Sequence, residues 1–227
     1  MSTPYFVVSC AIIIISFIPI TFFASISIMC FNTDFYRYEY AKNNVAEKIN
    51  ISDNDLMKAT DVLLGYIKNS NDSLDVDVRI GDNIEKMFNQ REIDHMVDVK
   101  NLYLNVRNIS FIGLLVFACS LFIILNDELP FTRIYDSAIK TYTVLSGIIG
   151  CLLLYACVDF NSFWTNFHKV FFRNDLWLLD PRTDRMILMV PSGFFFDLII
   201  MIVIIFVLAN FLFFFVLRYK SRKEIKL

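Results

Sequence analysis

The stretch FFFDLIIMIVIIFVLANFLFFFVL, residues 194–217, decides the class of this protein. Its 24 residues hold one charged side chain, Asp197, and are otherwise almost entirely apolar. A helix of about 20 apolar residues is long enough to cross the ~30 Å hydrocarbon core of a bilayer. This stretch therefore predicts a membrane-spanning helix.

Three further apolar stretches have the length of a span: residues 1–31, 109–125 and 141–158. The chain is 56% hydrophobic and has 24 Phe against 6 Gly, which is far from the composition of a soluble domain. The first stretch lacks a basic start and an A-x-A site, so we expect an uncleaved span instead of a signal peptide. The sequence thus predicts an all-α polytopic membrane protein with four transmembrane helices.

The distribution of Lys and Arg predicts the orientation of these helices. The tail, residues 218–227, holds five basic residues and one acidic residue, which favours the cytoplasm. Alternation then puts the N-terminus and the loop 126–140 in the cytoplasm as well. Segments 32–108 and 159–193 face outward, and the first of them carries ten basic and fourteen acidic residues.

The long outer segment, residues 32–108, predicts a small, mostly helical extracytoplasmic cap. Ser52 followed by Asp55 is typical of a helix start, and apolar residues continue from there at helical spacing. The stretch DVDVRI, residues 75–80, alternates apolar and polar side chains and predicts a short strand. A second amphipathic helix is expected from Asp82 onward, leading into the second span.

The chain has only two histidines, His95 and His168, and each lies in an outward segment next to a predicted span. Histidine is well suited to general acid–base catalysis near neutral pH. On a helix, Glu92 and Asp98 each lie three residues from His95, so a carboxylate could fix its tautomer. His168 lies within the aromatic run FWTNFHKVFF, which is typical of headgroup depth. Alternatively, both are ordinary interfacial histidines.

The second outer loop, residues 159–193, combines aromatic residues with many polar ones. Asp180-Pro181 followed by Thr183 and Asp184 predicts a turn, and a surface loop held by its own turns would explain several of the polar residues. The five cysteines include no CxxC pair, so we expect neither a zinc site nor a disulfide framework.

Two strings give the sequence a specific resemblance: EIDHMVDVK, residues 92–100, and FHKVFFRNDLWLLDPRTD, residues 167–184. They resemble the lipoprotein intramolecular transacylase (Lit) family, bacterial four-helix membrane proteins found mostly in low-GC Gram-positives. The resemblance covers nearly the whole chain through the order and spacing of spans and motifs.

The resemblance implies a multi-pass protein of the bacterial cell membrane that acts on the outer leaflet. The partner would be a diacylated lipoprotein whose N-terminal Cys carries a thioether-linked diacylglyceryl group, together with membrane lipid and no nucleic acid. The sn-2 acyl chain would move to the α-amino group of the same Cys and give the N-acyl lyso-form. The ester itself is the acyl donor, so no cofactor or metal is implied.

In this reaction we expect His95 to act as the base, oriented by Asp98. His168 would stabilise the oxyanion or protonate the departing alcohol, and the two roles could be exchanged.

Further residues of the second string are expected to support the site. Arg173 and Asn174 are candidate ligands of the carbonyl or oxyanion, and Trp177 would pack the acyl chains. Asp180 and Asp184 would brace the loop.

Two other classes of function fit parts of the sequence. A metal- or haem-binding membrane protein could use both histidines as ligands, although two ligands are a bare minimum. A non-enzymatic membrane sensor would bind a ligand through the cap and would tolerate replacement of both histidines.

Overall fold

The computed structural model describes residues 4–126 and 130–225. Its helices and strands follow in the order α1 (Pro4–Cys30), α2 (Thr33–Asn43), α3 (Val45–Ile49), α4 (Asp53–Ile67), β1 (Asp77–Ile80), β2 (Asn83–Lys86), α5 (Gln90–Asn126), α6 (Phe131–Val158), α7 (Phe160–Phe171), α8 (Met186–Met189) and α9 (Ser192–Glu224).

In this described part of the chain, α1, α5, α6 and α9 are long and apolar enough to cross a membrane. The predicted class, an all-α membrane protein with four spans, is confirmed. The helices extend past the apolar stretches. For example, α6 already begins at Phe131, inside the predicted loop 126–140. Residues 127–129 of that loop and residues 226–227 of the basic tail lie outside the described residues.

The chain divides into two compact units, and the first comprises the described parts of residues 1–27, 106–158 and 200–227. Its helices approach closely at Gly113, where an added Cβ would come within 3.0 Å of Pro19 and of the Ser16 carbonyl. A buried polar contact also joins helices, because the Asn210 amide donates to the Thr21 hydroxyl at 3.0 Å. The same unit has an apolar core that contains Cys10, Ile13, Ile14, Ile124, Ile134, Ala138 and Leu217.

The second unit comprises residues 28–105 and 159–199. Its helix α4 begins as the sequence predicts, because the Ser52 hydroxyl accepts a hydrogen bond from Asp55 N at 3.1 Å. The apolar side of α4 is buried, and the hydroxyls of Tyr40 and Thr60 share a 2.8 Å hydrogen bond inside the unit. The core of this unit also includes residues of its second part, 159–199, since the buried Phe194 ring packs against Phe35 and Tyr36.

The prediction that a helix starts at Asp82 is wrong. The predicted strand is present as β1, and the chain turns at Gly81, whose φ of 57° favours glycine, to form an antiparallel hairpin with β2. Cross-strand pairing stabilises the hairpin, since the Lys86 amine lies 2.5 Å from the Asp75 carboxylate and 3.1 Å from that of Asp77. The helix α5 starts only at Gln90 and then continues unbroken into the apolar stretch.

Candidate active site

The structure brings the two histidines together within the second unit. His95 lies on α5 and His168 on α7, and their ring centroids are 6.0 Å apart. Both side chains are buried, with 7% and 6% of their surface exposed. Burial of both rare histidines at one point distinguishes them from histidines that only reach toward a water interface.

The tautomer of His168 follows from its hydrogen bond within α7. Its Nδ1 lies 2.7 Å from the carbonyl oxygen of Trp164. A carbonyl oxygen only accepts, so Nδ1 carries the hydrogen and a neutral ring keeps its lone pair on Nε2. The His168 ring is also stacked by Trp177, with centroids 4.8 Å apart. Both contacts fix the direction in which Nε2 points.

The environment of His95 is apolar by comparison. Its Nδ1 is buried and has no hydrogen-bond partner in the described part of the chain. The Phe172 ring meets the His95 ring edge-on, with centroids 5.4 Å apart. A buried nitrogen without a partner is rare and is typical of a functional site.

The carboxylates expected to orient His95 have other partners. Asp98 accepts a hydrogen bond from the side-chain amide of Asn174 at 2.8 Å. Glu92, which is fully buried, accepts from the backbone amides of Asn89 at 2.7 Å and Met186 at 2.5 Å. Neither of the two carboxylates pairs with the His95 Nδ1.

Burial keeps both histidines neutral near pH 7. His95 lies in the charged first part of α5, ahead of the uncharged residues 108–126. Burial and then the neighbouring His168 lower the pKa of His95 to about 4, against an opposing effect of Asp98. Burial also lowers the pKa of His168, although its bond to the Trp164 carbonyl opposes this shift. Each ring therefore offers a lone pair and an N–H at neutral pH.

Asn174 acts as a tether within the loop that follows α7. Its amide nitrogen donates to Asp98, its side-chain oxygen accepts from Leu176 N at 3.1 Å, and its backbone carbonyl accepts from the Trp177 indole at 2.9 Å. These bonds use the side chain that was expected to bind a substrate carbonyl. The neighbouring Arg173 is exposed.

Asp184 braces the loop, and Asp180 is part of the same turn. The buried Asp184 carboxylate accepts from Asp180 N and from the Asn89 amide, each at 2.7 Å, and from the Thr183 hydroxyl at 2.9 Å. Burial alone would raise the pKa of Asp184, but these hydrogen bonds outweigh burial and lower it. The Asp180 carboxylate accepts from Arg182.

Sequence reasoning missed several contacts that hold the start of α5 and its neighbouring segments in place. Asn89 and Glu92 form a reciprocal cap, in which Asn89 accepts from Glu92 N at 3.0 Å while Glu92 accepts from Asn89 N. The spacing N-x-x-E is the detectable signal of such a cap. Arg91 donates to the Asp175 carbonyl and Arg185 donates to the Lys86 carbonyl. No local sequence pattern predicts either contact.

The described residues 4–126 and 130–225 contain no group of three or more His, Cys, Asp or Glu side chains placed to hold a metal ion. The site instead offers two neutral imidazoles bordered by aromatic rings. Two neutral imidazoles at this distance can move a proton between two groups of a substrate that reaches them.

A family model described as "Lipoprotein intramolecular transacylase Lit" matches residues 11–195 of the chain. A search of curated proteins found no significant match.

Among solved structures, the membrane-integral lipoprotein intramolecular transacylase Lit of Bacillus cereus is similar, with 19% identity, a TM-score of 0.78 and coverage of 97% of each chain. A variant of that protein with one histidine replaced by alanine has 18% identity, a TM-score of 0.73 and coverage of 97% of this chain and 95% of that one. The arginine variant has the same identity and TM-score, with coverage of 98% and 93%.

At such low identity the structural likeness shows the fold alone. The family model, in contrast, matches well over half of the chain. The chain therefore belongs to the lipoprotein intramolecular transacylase (Lit) family and is a multi-pass membrane acyltransferase.

Proposed function

We propose that this chain moves the sn-2 acyl chain of a diacylglyceryl-modified bacterial lipoprotein to the α-amino group of the same N-terminal cysteine. The product is an N-acyl, lyso-form lipoprotein. The observation that carries the proposal is the buried pair His95 and His168, with ring centroids 6.0 Å apart and one tautomer fixed.

His168 is the base in this proposal, which exchanges the roles expected from the sequence. Its Nδ1 hydrogen is held by the Trp164 carbonyl, so Nε2 is free to accept a proton from the attacking amine. The same carbonyl stabilises the imidazolium that forms. The carboxylate that was expected to orient His95 instead accepts from Asn174.

The reaction balances without a co-reactant. The free α-amine attacks the carbonyl carbon of the sn-2 ester, the new N–C bond forms, and His168 Nε2 takes one amine proton. The bond between the acyl carbonyl carbon and the sn-2 oxygen then breaks, and this oxygen, which stays on the sn-2 carbon, receives that proton. The total mass of the lipoprotein is unchanged.

His95 acts as a neutral hydrogen-bond donor to the oxyanion of the tetrahedral intermediate. Its low pKa supports this role, because a neutral imidazole can donate an N–H without adding a buried charge beside His168. The amine reaches the ester through a ring of about eight atoms, so holding the lipid folded supplies much of the acceleration. Trp177 and Phe172 border this space and pack the lipid.

The site faces the outside of a bacterial cell membrane and both termini face the cytoplasm. The basic residues that follow the fourth apolar stretch support this orientation. Diacylated lipoproteins expose their N-terminal cysteine on that outer side, so enzyme and substrate meet in one leaflet.

The test is mass spectrometry of a lipoprotein's N-terminal peptide from a host that makes only the diacylglyceryl form. Co-expression of the chain is expected to leave the peptide mass unchanged and to move one acyl chain to nitrogen. His168→Ala and His95→Ala should abolish the transfer, whereas Asn161→Ala, at an exposed position of the same helix, should keep it. Transfer by both histidine variants at the wild-type level would overturn the proposal.

A further inference from the structure

The helix that carries His168 has two different sides. In α7, the polar residues Asn161, Ser162, Asn166 and Lys169 lie on one side, and aromatic or aliphatic residues lie on the other. His168 lies at the border between the two sides, one position after Phe167 and one before Lys169.

Only part of the apolar side of α7 is covered by protein. Trp164 stacks on Phe195 with centroids 4.4 Å apart, and Phe160 meets Phe196 edge-on at 5.3 Å. Beyond these contacts, apolar side chains at the C-terminal end of α7 and one in the following loop remain exposed. This α7 surface consists of Phe167, which is partly exposed, and of Val170, Phe171 and Leu178, which are 67%, 51% and 55% exposed.

The covalent path of the chain indicates what covers the α7 surface. The candidate span α6 ends at Val158, and the next residue, Asp159, caps α7 through a 3.0 Å bond from Ser162 N. With a single residue between the two helices, α7 must start where α6 leaves the hydrocarbon core. The exposed cations Lys169, on the polar side of α7, and Arg173, in the loop that follows, match the phosphate groups of lipids.

We infer that α7 is an interfacial helix whose surface Phe167, Val170, Phe171 and Leu178 lies against membrane lipid and thereby sets the depth of His168. Amphipathic helices of this kind bury their apolar side about 5–10 Å into the boundary between headgroups and acyl chains. Glycerolipid ester bonds lie at this boundary. His168, at the border of the two sides of α7, is therefore level with a lipid ester, and the substrate need not be lifted out of the membrane.

The contact with lipid is independent of the reaction, whereas the significance of the ester depth rests on the proposed function. Site-specific photo-crosslinking tests the contact directly. A diazirine amino acid is placed at Val170 on the apolar side or at Asn161 on the polar side, in the full chain reconstituted in phosphatidylglycerol–phosphatidylcholine vesicles.

The expected result is a phospholipid adduct at position 170 and at least about tenfold less at position 161, since only one side of α7 lies in lipid. Equal labelling at both positions, or crosslinks from position 170 to a second copy of the chain, would overturn the inference. Neither result depends on activity, so an inactive chain with the expected adducts would contradict only the proposed function.

Turnover tests the depth of His168. Val170→Asp should lower kcat/KM for a long-chain diacyl lipopeptide in vesicles by about tenfold, because the charge resists burial at the interface. A short-chain lipopeptide in detergent micelles should restore the rate. The matched control Ile84→Asp replaces an equally exposed apolar residue in the hairpin, 68% exposed, and should change neither rate. An equal loss in both variants, or a loss that short chains do not restore, would contradict the assigned depth.

Discussion

Replacing Glu92 with alanine should release the second loop from α5. The Glu92 side chain is fully buried and accepts two hydrogen bonds, from Asn89 N at 2.7 Å and from Met186 N at 2.5 Å. The first bond belongs to the cap of α5, one turn before His95. The second reaches Met186 of α8, 94 residues later, and so joins the first string to the segment that directly follows the second.

The structure sets the size of the effect. Each buried donor that loses its acceptor lowers the free energy of unfolding by about 1–3 kcal/mol. Two such donors lower it by about 3 kcal/mol when water forms part of the lost hydrogen bonds. For a chain of this length, a loss of 1 kcal/mol lowers Tm by roughly 2–4 °C. The Glu92→Ala variant should therefore unfold about 6–12 °C below the wild type.

Thermal unfolding of the purified chain in detergent measures this shift, and the matched control is Asp94→Ala. Asp94 lies two residues farther along α5, is partly exposed, and accepts from the Gln90 side chain at 2.7 Å. Its loss should cost less than about 0.5 kcal/mol. Equal shifts in the two variants, or a Glu92→Ala variant as stable as the wild type, would refute the role assigned to Glu92.

Three further outcomes are expected from the site. Burial lowers the pKa of His168, so this side chain is neutral at pH 7 and becomes protonated only at a pH below the ordinary range of histidine. If His168 is the base, log kcat/KM should rise with a slope of one toward the substrate amine pKa of ~7.7–8.0 and with a slope of two below the His168 pKa. A slope of one throughout would contradict this assignment. Asn174→Asp places a second carboxylate against Asp98 and should lower kcat about tenfold, and the exchanged pair Asp98→Asn with Asn174→Asp should restore it if the hydrogen bond is what matters. Incubation with a chelator should leave activity within about twofold of the untreated level, and recovery by added zinc after a loss would support a metal site instead.

The spans and several local features could be predicted because their causes are local. A run of apolar residues longer than the hydrocarbon core has few alternatives to a membrane span. The start of α4 was predicted because the Ser52 cap lies within one turn of the helix it begins.

The hairpin was missed for a reason that is also physical. The helical spacing of apolar positions in residues 82–102 begins only at Met87, so it does not determine the structure of residues 82–86. Strand pairing with residues outside this segment does, since Asn83–Lys86 pairs with Asp77–Ile80 and Met87 N donates to the Val76 carbonyl at 3.0 Å. The helix consequently begins only at Gln90, next to the Asn89 cap.

The hydrogen-bond partners of the site residues show the same limit. Helical spacing puts Asp98 near His95, but it cannot reveal that Asn174, 76 residues away, binds that carboxylate. The tautomer of His168 depends on a carbonyl in its own helix, four residues back. Residue type alone therefore suggests a pair of histidines, whereas the division of roles needs the structure.

The most direct test of the proposed reaction uses the purified chain in vesicles with a synthetic lipopeptide whose sn-1 and sn-2 acyl chains differ in length. A second lipopeptide with an isotope-labelled peptide and a third chain length at sn-2 is present in the same vesicles. Tandem mass spectrometry then identifies the chain on each α-nitrogen. The account predicts that every nitrogen carries the sn-2 chain of its own molecule at unchanged total mass. An sn-1 chain on nitrogen, or exchange of chains between the two lipopeptides, would contradict it.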